Sequence, residues 1–161
     1  MIELPIDKIA ASMLATVLVA GAVAAAGCGR DEATSSETPP EVAVSVTNMA
    51  VCEALVLAAR TGISRKTMLD AISGGAASSW QLLNLGPKMV EGDFRPGFKV
   101  WHQQKDLRHA LDLARENELP MPATALVAQL FATVAADGHK DAGTQALVKA
   151  LEKLGDVSVG E

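Results

Sequence analysis

From Val42 onward the chain places its apolar residues three and four apart in one stretch after another and nowhere alternates them, which leaves helices packed on helices as the architecture open to it. Met49, Cys52, Leu55, Val56 and Ala59 share one face of a first helix over residues 42–61, and Gly62 ends it. Ser64 opens a short helix carrying Met68, Leu69 and Ile72, closed by Gly74 and Gly75. Ser78 and Ser79 precede WQLLNL, which stops at Gly86-Pro87. After a half-turn KMVEG comes the loop DFRPGF, where Phe94 and Phe98 are expected to bury their rings against the next helix and pin the loop at both ends. Residues 99–118 read as an amphipathic helix with Leu107, Ala110, Leu111 and Ala114 in one stripe, broken by Pro120 and Pro122. Pro122 starts another helix, through Leu126, Leu130, Phe131 and Val134 to Gly138. Asp141 is expected to cap a last one holding Ala146, Leu147, Ala150, Leu151 and Leu154. Composition agrees: 49% of the residues are hydrophobic but only 3% aromatic, and the apolar share is heavy in alanine. The fold class is all-α, a helical bundle.

The first 41 residues have a different texture. Residues 9–28, IAASMLATVLVAGAVAAAGC, carry no charge, and GRDEATSSETPPE follows. The apolar run is long enough to span a bilayer. It also reads as an export signal, with AAAGC resembling the box before a lipid-modified cysteine, which makes Cys28 a lipidation candidate. A buried alanine-rich helix is a third reading. Glu3 and Asp7 against Lys8 alone run counter to the positive start of a signal. The expected organisation is an apolar signal-like or membrane-anchor segment over 1–28, a flexible linker over 29–41, a helical domain over 42–155 and a tail over 156–161. Location follows the same fork: exported or membrane-anchored through 9–28, or cytoplasmic.

Several chemistries are excluded. A net charge of −5 leaves no basic surface for nucleic acid. Two cysteines cannot form a disulfide framework, and no Cys/His spacing suits a metal. GxGxxG, GxxxxGK[ST] and GxSxG are all absent from the 161 residues. His102 and His109, seven apart, and His139, in a turn, read as solvated side chains. Lys105-Asp106 stands two turns after the DFRPGF loop, where a lysine can reach into the cleft between loop and helix.

Taken together, GGAASSWQLLNLGPKMVEGDFRPGFKVWHQQKDLRHALDLA, then LPMPATALVAQLF, then DGHKDAGTQAL, preceded by NMAVCEALVLAARTGI, resemble the C-terminal domain of the β-hydroxyacid dehydrogenases. This family, of 6-phosphogluconate dehydrogenase C-terminal-like fold, includes 3-hydroxyisobutyrate dehydrogenase and tartronate semialdehyde (2-hydroxy-3-oxopropionate) reductase. The resemblance covers residues 47–154. It implies an all-helical domain that closes over NAD or NADP held by a Rossmann domain, and an oxidoreductase interconverting β-hydroxy acids and semialdehydes. Lys105 matches the lysine that contacts the cofactor; Phe98 and Asp106 match positions lining the substrate end of the cleft. No catalytic residue is assigned. The family's general acid/base lysine is expected near Thr38, where none stands, and Pro39-Pro40 is expected to break the helix that would carry it. Without that lysine or a Rossmann domain the chain is expected to be inactive alone. Its implied partners are a separate Rossmann-domain chain, or further copies of itself in a homo-oligomer. The alternative is a non-catalytic helical interaction module, tethered as a lipoprotein.

Overall fold

The computed structural model describes residues 38–160, all within one compact unit. The signal-like run 9–28, its Cys28 and the linker residues 29–37 lie outside the described residues.

Seven α-helices follow in order: α1 Thr38–Thr61, α2 Arg65–Ser73, α3 Trp80–Asn84, α4 Gly86–Glu91, α5 Val100–Glu116, α6 Pro122–Val134 and α7 Leu147–Gly155. A π-turn, Ala135–His139, prolongs α6, and a 3₁₀ turn, Thr144–Ala146, leads into α7. The only β pairing among the described residues is an isolated antiparallel bridge, Lys99–Gly143. The bundle is the all-α domain that the helical spacing predicts.

Helix α1 is the axis of the bundle and touches each of the other six helices. By length and hydropathy it could cross a membrane. Here its apolar residues Val51, Cys52, Leu55 and Ala58 form the middle of the core, against Leu107, Val127, Phe131, Leu147 and Val148. The core is aliphatic because Phe131 is its only fully buried ring. Truncating a leucine such as Leu107 to alanine in packing of this kind costs about 2–5 kcal/mol.

Local signals set most boundaries. Gly62 ends α1 with φ 75°, a left-handed turn that residues bearing a Cβ enter at a cost. Ser64 Oγ accepts the Thr67 N–H and Ser79 Oγ accepts the Leu82 N–H, so both serines cap as expected. Gly86 lets α4 approach α2: a Cβ there would lie 2.8 Å from Leu69 Cδ2.

Four expectations are corrected. Helix α1 begins at Thr38, so Pro39 and Pro40 sit in its first turn, where the backbone N–H has no intrahelical acceptor to lose, and they do not break it. Asp141 caps no helix; it pairs with Lys99 Nζ at 3.1 Å, while the 3₁₀ turn starts after Gly143 and α7 three residues later. Leu126 and Leu154 are exposed rather than part of the apolar faces assigned to them. Residues 156–160 are no loose tail: Val159 is fully buried, its N–H donates to Glu152 Oε1 at 2.6 Å, and its carbonyl accepts from Arg65 Nε at 3.1 Å.

Candidate functional site

The DFRPGF loop becomes a wall of a pocket because buried polar groups fasten it to the bundle. Gln145, 1% exposed, donates through Nε2 to the carbonyls of Asp93, at 2.9 Å, and Arg95, at 3.1 Å. The Gly143 N–H donates to the Phe94 carbonyl and the Thr144 N–H to the Phe98 carbonyl. Asn48, on α1, donates through Nδ2 to the Thr144 carbonyl at 2.9 Å, so α1, the 3₁₀ turn and the loop form one chain of hydrogen bonds. The start of α5 has no side-chain cap; its Val100 and Trp101 N–H groups donate instead to the carbonyls of Ala142 and Lys140. At the loop's outer edge Asp93 grips Arg95, 2.7 Å from its Nη2, and this guanidinium holds the carboxyl well below its ordinary 3.8.

These ties enclose a pocket of about 290 Å³. Trp80, Leu85 and Phe98 supply apolar walls; Glu41 and Val44 of α1, Lys88 of α4, Gln103 of α5 and the Thr144-Gln145 turn complete it. Phe98 does not bury its ring as expected. It is 41% exposed and stands 5.3 Å from the His102 ring, which in turn lies against Trp101. Phe94 is the ring that turns inward, half-buried against the core, with Lys149 Nζ 4.2 Å from its centroid. His102 is therefore half-buried among rings rather than free in solvent, whereas His109 is exposed.

Lys105 and Asp106 form an ion pair on α5, Nζ to Oδ1 at 3.2 Å. The Asp106 side chain is largely buried and that of Lys105 half-exposed, so the carboxylate anchors an ammonium that stays open to solvent. Neither is among the residues lining the Phe98 pocket: the structure brings Lys105 to Asp106, and Phe98 to α1 and Gln103, but joins the two groups only through α5.

Sequence reasoning missed Ser45, Asn48, Gln103 and Gln145, all buried. Ser45 Oγ and Asn48 Oδ1 have no hydrogen-bond partner among the described residues, an uncommon state for buried oxygens. The signal was present: Ser45 and Asn48 fall on the stripe that continues through Cys52 and Leu55, so their polar groups must face inward. Cys52 itself is no nucleophile. Burial, with Glu152 and Glu53 adding to it, pushes its thiol far above the ordinary value, and Sγ rests 3.8 Å from Met89 Sδ. A larger groove of about 420 Å³, between α1 and the end of α5, is lined by Val42, Leu113, Leu119, Met121 and other mostly apolar residues; it offers no charged group.

An all-helical domain built on one long axial helix, with an aromatic loop walling a pocket and a lysine–aspartate pair on α5 outside that pocket, has the make-up of the helical domain of a nicotinamide-dinucleotide dehydrogenase. Residues 41–151 match the family described as the NAD-binding domain of NADP-dependent 3-hydroxyisobutyrate dehydrogenase, and the chain belongs to that family. Its cofactor is accordingly NAD or NADP. The chain is 40% identical over 119 residues to the probable 3-hydroxyisobutyrate dehydrogenase-like 1, mitochondrial, of Arabidopsis thaliana, covering 74% of this chain and 36% of that one. It is 36% identical over 126 residues to the 2-hydroxy-3-oxopropionate reductase of Escherichia coli, covering 78% and 43%. The crystal structure of 3-hydroxyisobutyrate dehydrogenase from Salmonella typhimurium superposes with a TM-score of 0.66 at 29% identity, over 68% of this chain and 39% of that one. The chain thus spans less than half the length of these relatives.

The residues present fit the nicotinamide end of such a cofactor. Trp80 and Phe98 offer apolar ring faces, and the orphaned oxygens of Ser45 and Asn48 lie buried on α1, where Val44 lines the pocket; Lys105 stands outside it. Helix α1 contains no lysine.

Proposed function

We propose that this chain supplies the substrate- and nicotinamide-facing half of a β-hydroxy-acid dehydrogenase and does not turn over by itself. The supporting observation is the Phe98 pocket: walled by the rings of Trp80 and Phe98, lined by Glu41 and Val44 of α1, and fastened by Asn48, Thr144 and Gln145. In this reading Phe98 and Trp80 exclude water from the reacting face, which strengthens every electrostatic contact inside. Asp106 is a positioning residue: it fixes the Lys105 ammonium, which holds the cofactor's carboxamide or phosphate end. The nicotinamide, when bound, exchanges a hydride with the carbon bearing the substrate hydroxyl. That hydroxyl's proton needs an acceptor, and α1 offers no lysine for it, so in this reading a Rossmann-fold domain supplies the acceptor lysine and the Gly-rich turn that holds the pyrophosphate. A homo-oligomer built through the helical domain is compatible with this arrangement.

The reading is tested by saturation-transfer NMR with NADH on the full chain. Magnetisation is expected to reach the nicotinamide protons more strongly than the adenine protons, and Lys105→Ala is expected to weaken that transfer. Transfer dominated by adenine, or unaffected by Lys105→Ala, would refute the assignment.

A further inference from the structure

Two charged residues stand in the Phe98 pocket, and neither is paired. Lys88, on α4, and Glu41, in the first turn of α1, both line it, yet neither takes part in an ion pair among the described residues. Asp93, which feels the charge of Lys88, is already engaged by Arg95 through contacts of 2.7 and 2.8 Å. The amides of the pocket are committed as well: Gln145 Nε2 serves the loop carbonyls, and Gln103 Nε2 points to the Glu41 carbonyl at 3.5 Å. The ammonium of Lys88 and the carboxylate of Glu41 are what remains to recognise a charged ligand.

We propose that Lys88 is the carboxylate-holding residue of this pocket and that Glu41 turns away a second negative charge, so that the site takes β-hydroxy acids with one carboxylate and rejects dicarboxylates. The proposal rests on the reading of the pocket as the acid-binding half of a dehydrogenase. A monoacid seated on Lys88 balances that charge, and its hydroxyl end can donate a hydrogen bond to Glu41. A dicarboxylate brings two negative charges into a pocket whose own charges sum to zero, and no cation among the described residues neutralises Glu41. Beside the rings of Trp80 and Phe98 that repulsion is damped less than in bulk water. A pocket of about 290 Å³ holds an acid of a few carbon atoms with little room to turn the second carboxylate outward.

The test is tryptophan fluorescence of the full chain titrated with 3-hydroxypropionate, a monoacid, and tartronate, a dicarboxylate of similar size; Trp80 lines the pocket and reports on its occupancy. The monoacid is expected to bind about tenfold more tightly than the dicarboxylate. Lys88→Gln is expected to weaken monoacid binding about tenfold. Glu41→Gln is expected to bring tartronate to within about threefold of the monoacid. Circular dichroism verifies that each variant is folded. If the monoacid binds Lys88→Gln as well as it binds the unaltered chain, or if Glu41→Gln leaves the preference intact, the proposal falls while the reading of the pocket stands. If the unaltered chain gives no saturable response to either acid, the pocket is not an acid site and both fall.

Discussion

Gln145 shows what a single buried amide does here. Its two donated hydrogen bonds are the side-chain ties between the DFRPGF loop and the bundle, and Gln145→Leu would leave two carbonyls without partners. Uncompensated groups of that kind cost about 1–3 kcal/mol each. We expect Gln145→Leu to lower the melting temperature by several degrees and to speed amide exchange across residues 93–98, measured by mass spectrometry. Unchanged exchange there would mean that the backbone bonds alone hold the loop. Asp93 makes a pH-dependent contribution at the same loop. Its carboxyl is held below the ordinary 3.8 by the Arg95 guanidinium, and a lowered folded-state pKa stabilises the fold above the unfolded value. That contribution is complete at neutral pH and fades as the pH falls below about 4 toward the folded-state value. The stability gap between the unaltered chain and Asp93→Asn, from denaturant melts, should therefore be present at pH 7 and shrink by pH 3. A gap that grows on acidification would contradict the pairing. None of this was visible beforehand, because a glutamine or an aspartate in a polar stretch reads as solvated until the fold shows what surrounds it.

At the scale of the element, the helices were legible and their ends less so. Period together with Pro120 and Pro122 placed α5 and α6, and serine caps placed α2 and α3, because these signals are local. The start of α1 was misjudged because a proline pair reads as a helix breaker, whereas in the first turn it removes no bond. The error concerns the site, since Glu41 lies in that turn. A chain begun at Val42 loses the turn, Glu41 and the acceptor of the Gln103 amide; one begun at Thr38 keeps them. We expect the shorter form to be about 1–2 kcal/mol less stable than the longer, the size of one helix cap plus a hydrogen bond. Equal midpoints in denaturant would show that the turn adds nothing. The Phe98 ring escaped sequence reading for a different reason: both phenylalanines of DFRPGF are apolar, and only the tertiary path of the loop decides that Phe94 enters the core while Phe98 faces the pocket.

Viewed as a whole, the described residues form the all-helical domain of the family. FRPGF followed by KDL pointed from sequence to the loop and the α5 pair, while the buried oxygens of α1 were interspersed in an apolar pattern. We expect the purified chain not to oxidise 3-hydroxyisobutyrate with NAD or NADP, since it has neither the glycine-rich turn for the pyrophosphate nor a lysine on α1; a general base typically contributes about 10²–10⁴-fold. Reduced-nicotinamide absorbance at high protein concentration decides this. Turnover above background that vanishes in Lys105→Ala would make the chain a catalytic unit in its own right.

The central position of α1 also bears on how the protein is made. The helix that every other helix packs against is synthesised before all of them, and Asn48 meets its Thr144 partner across 96 residues of sequence. At translation rates of about 5–20 residues per second, α1 waits on the order of 5–20 s for its cover. During that interval it is a greasy helix of bilayer length with only part of its cover. Ribosome-bound chains halted at Leu130 should therefore recruit a hydrophobic holdase that released full-length protein does not, and slower translation should widen that window.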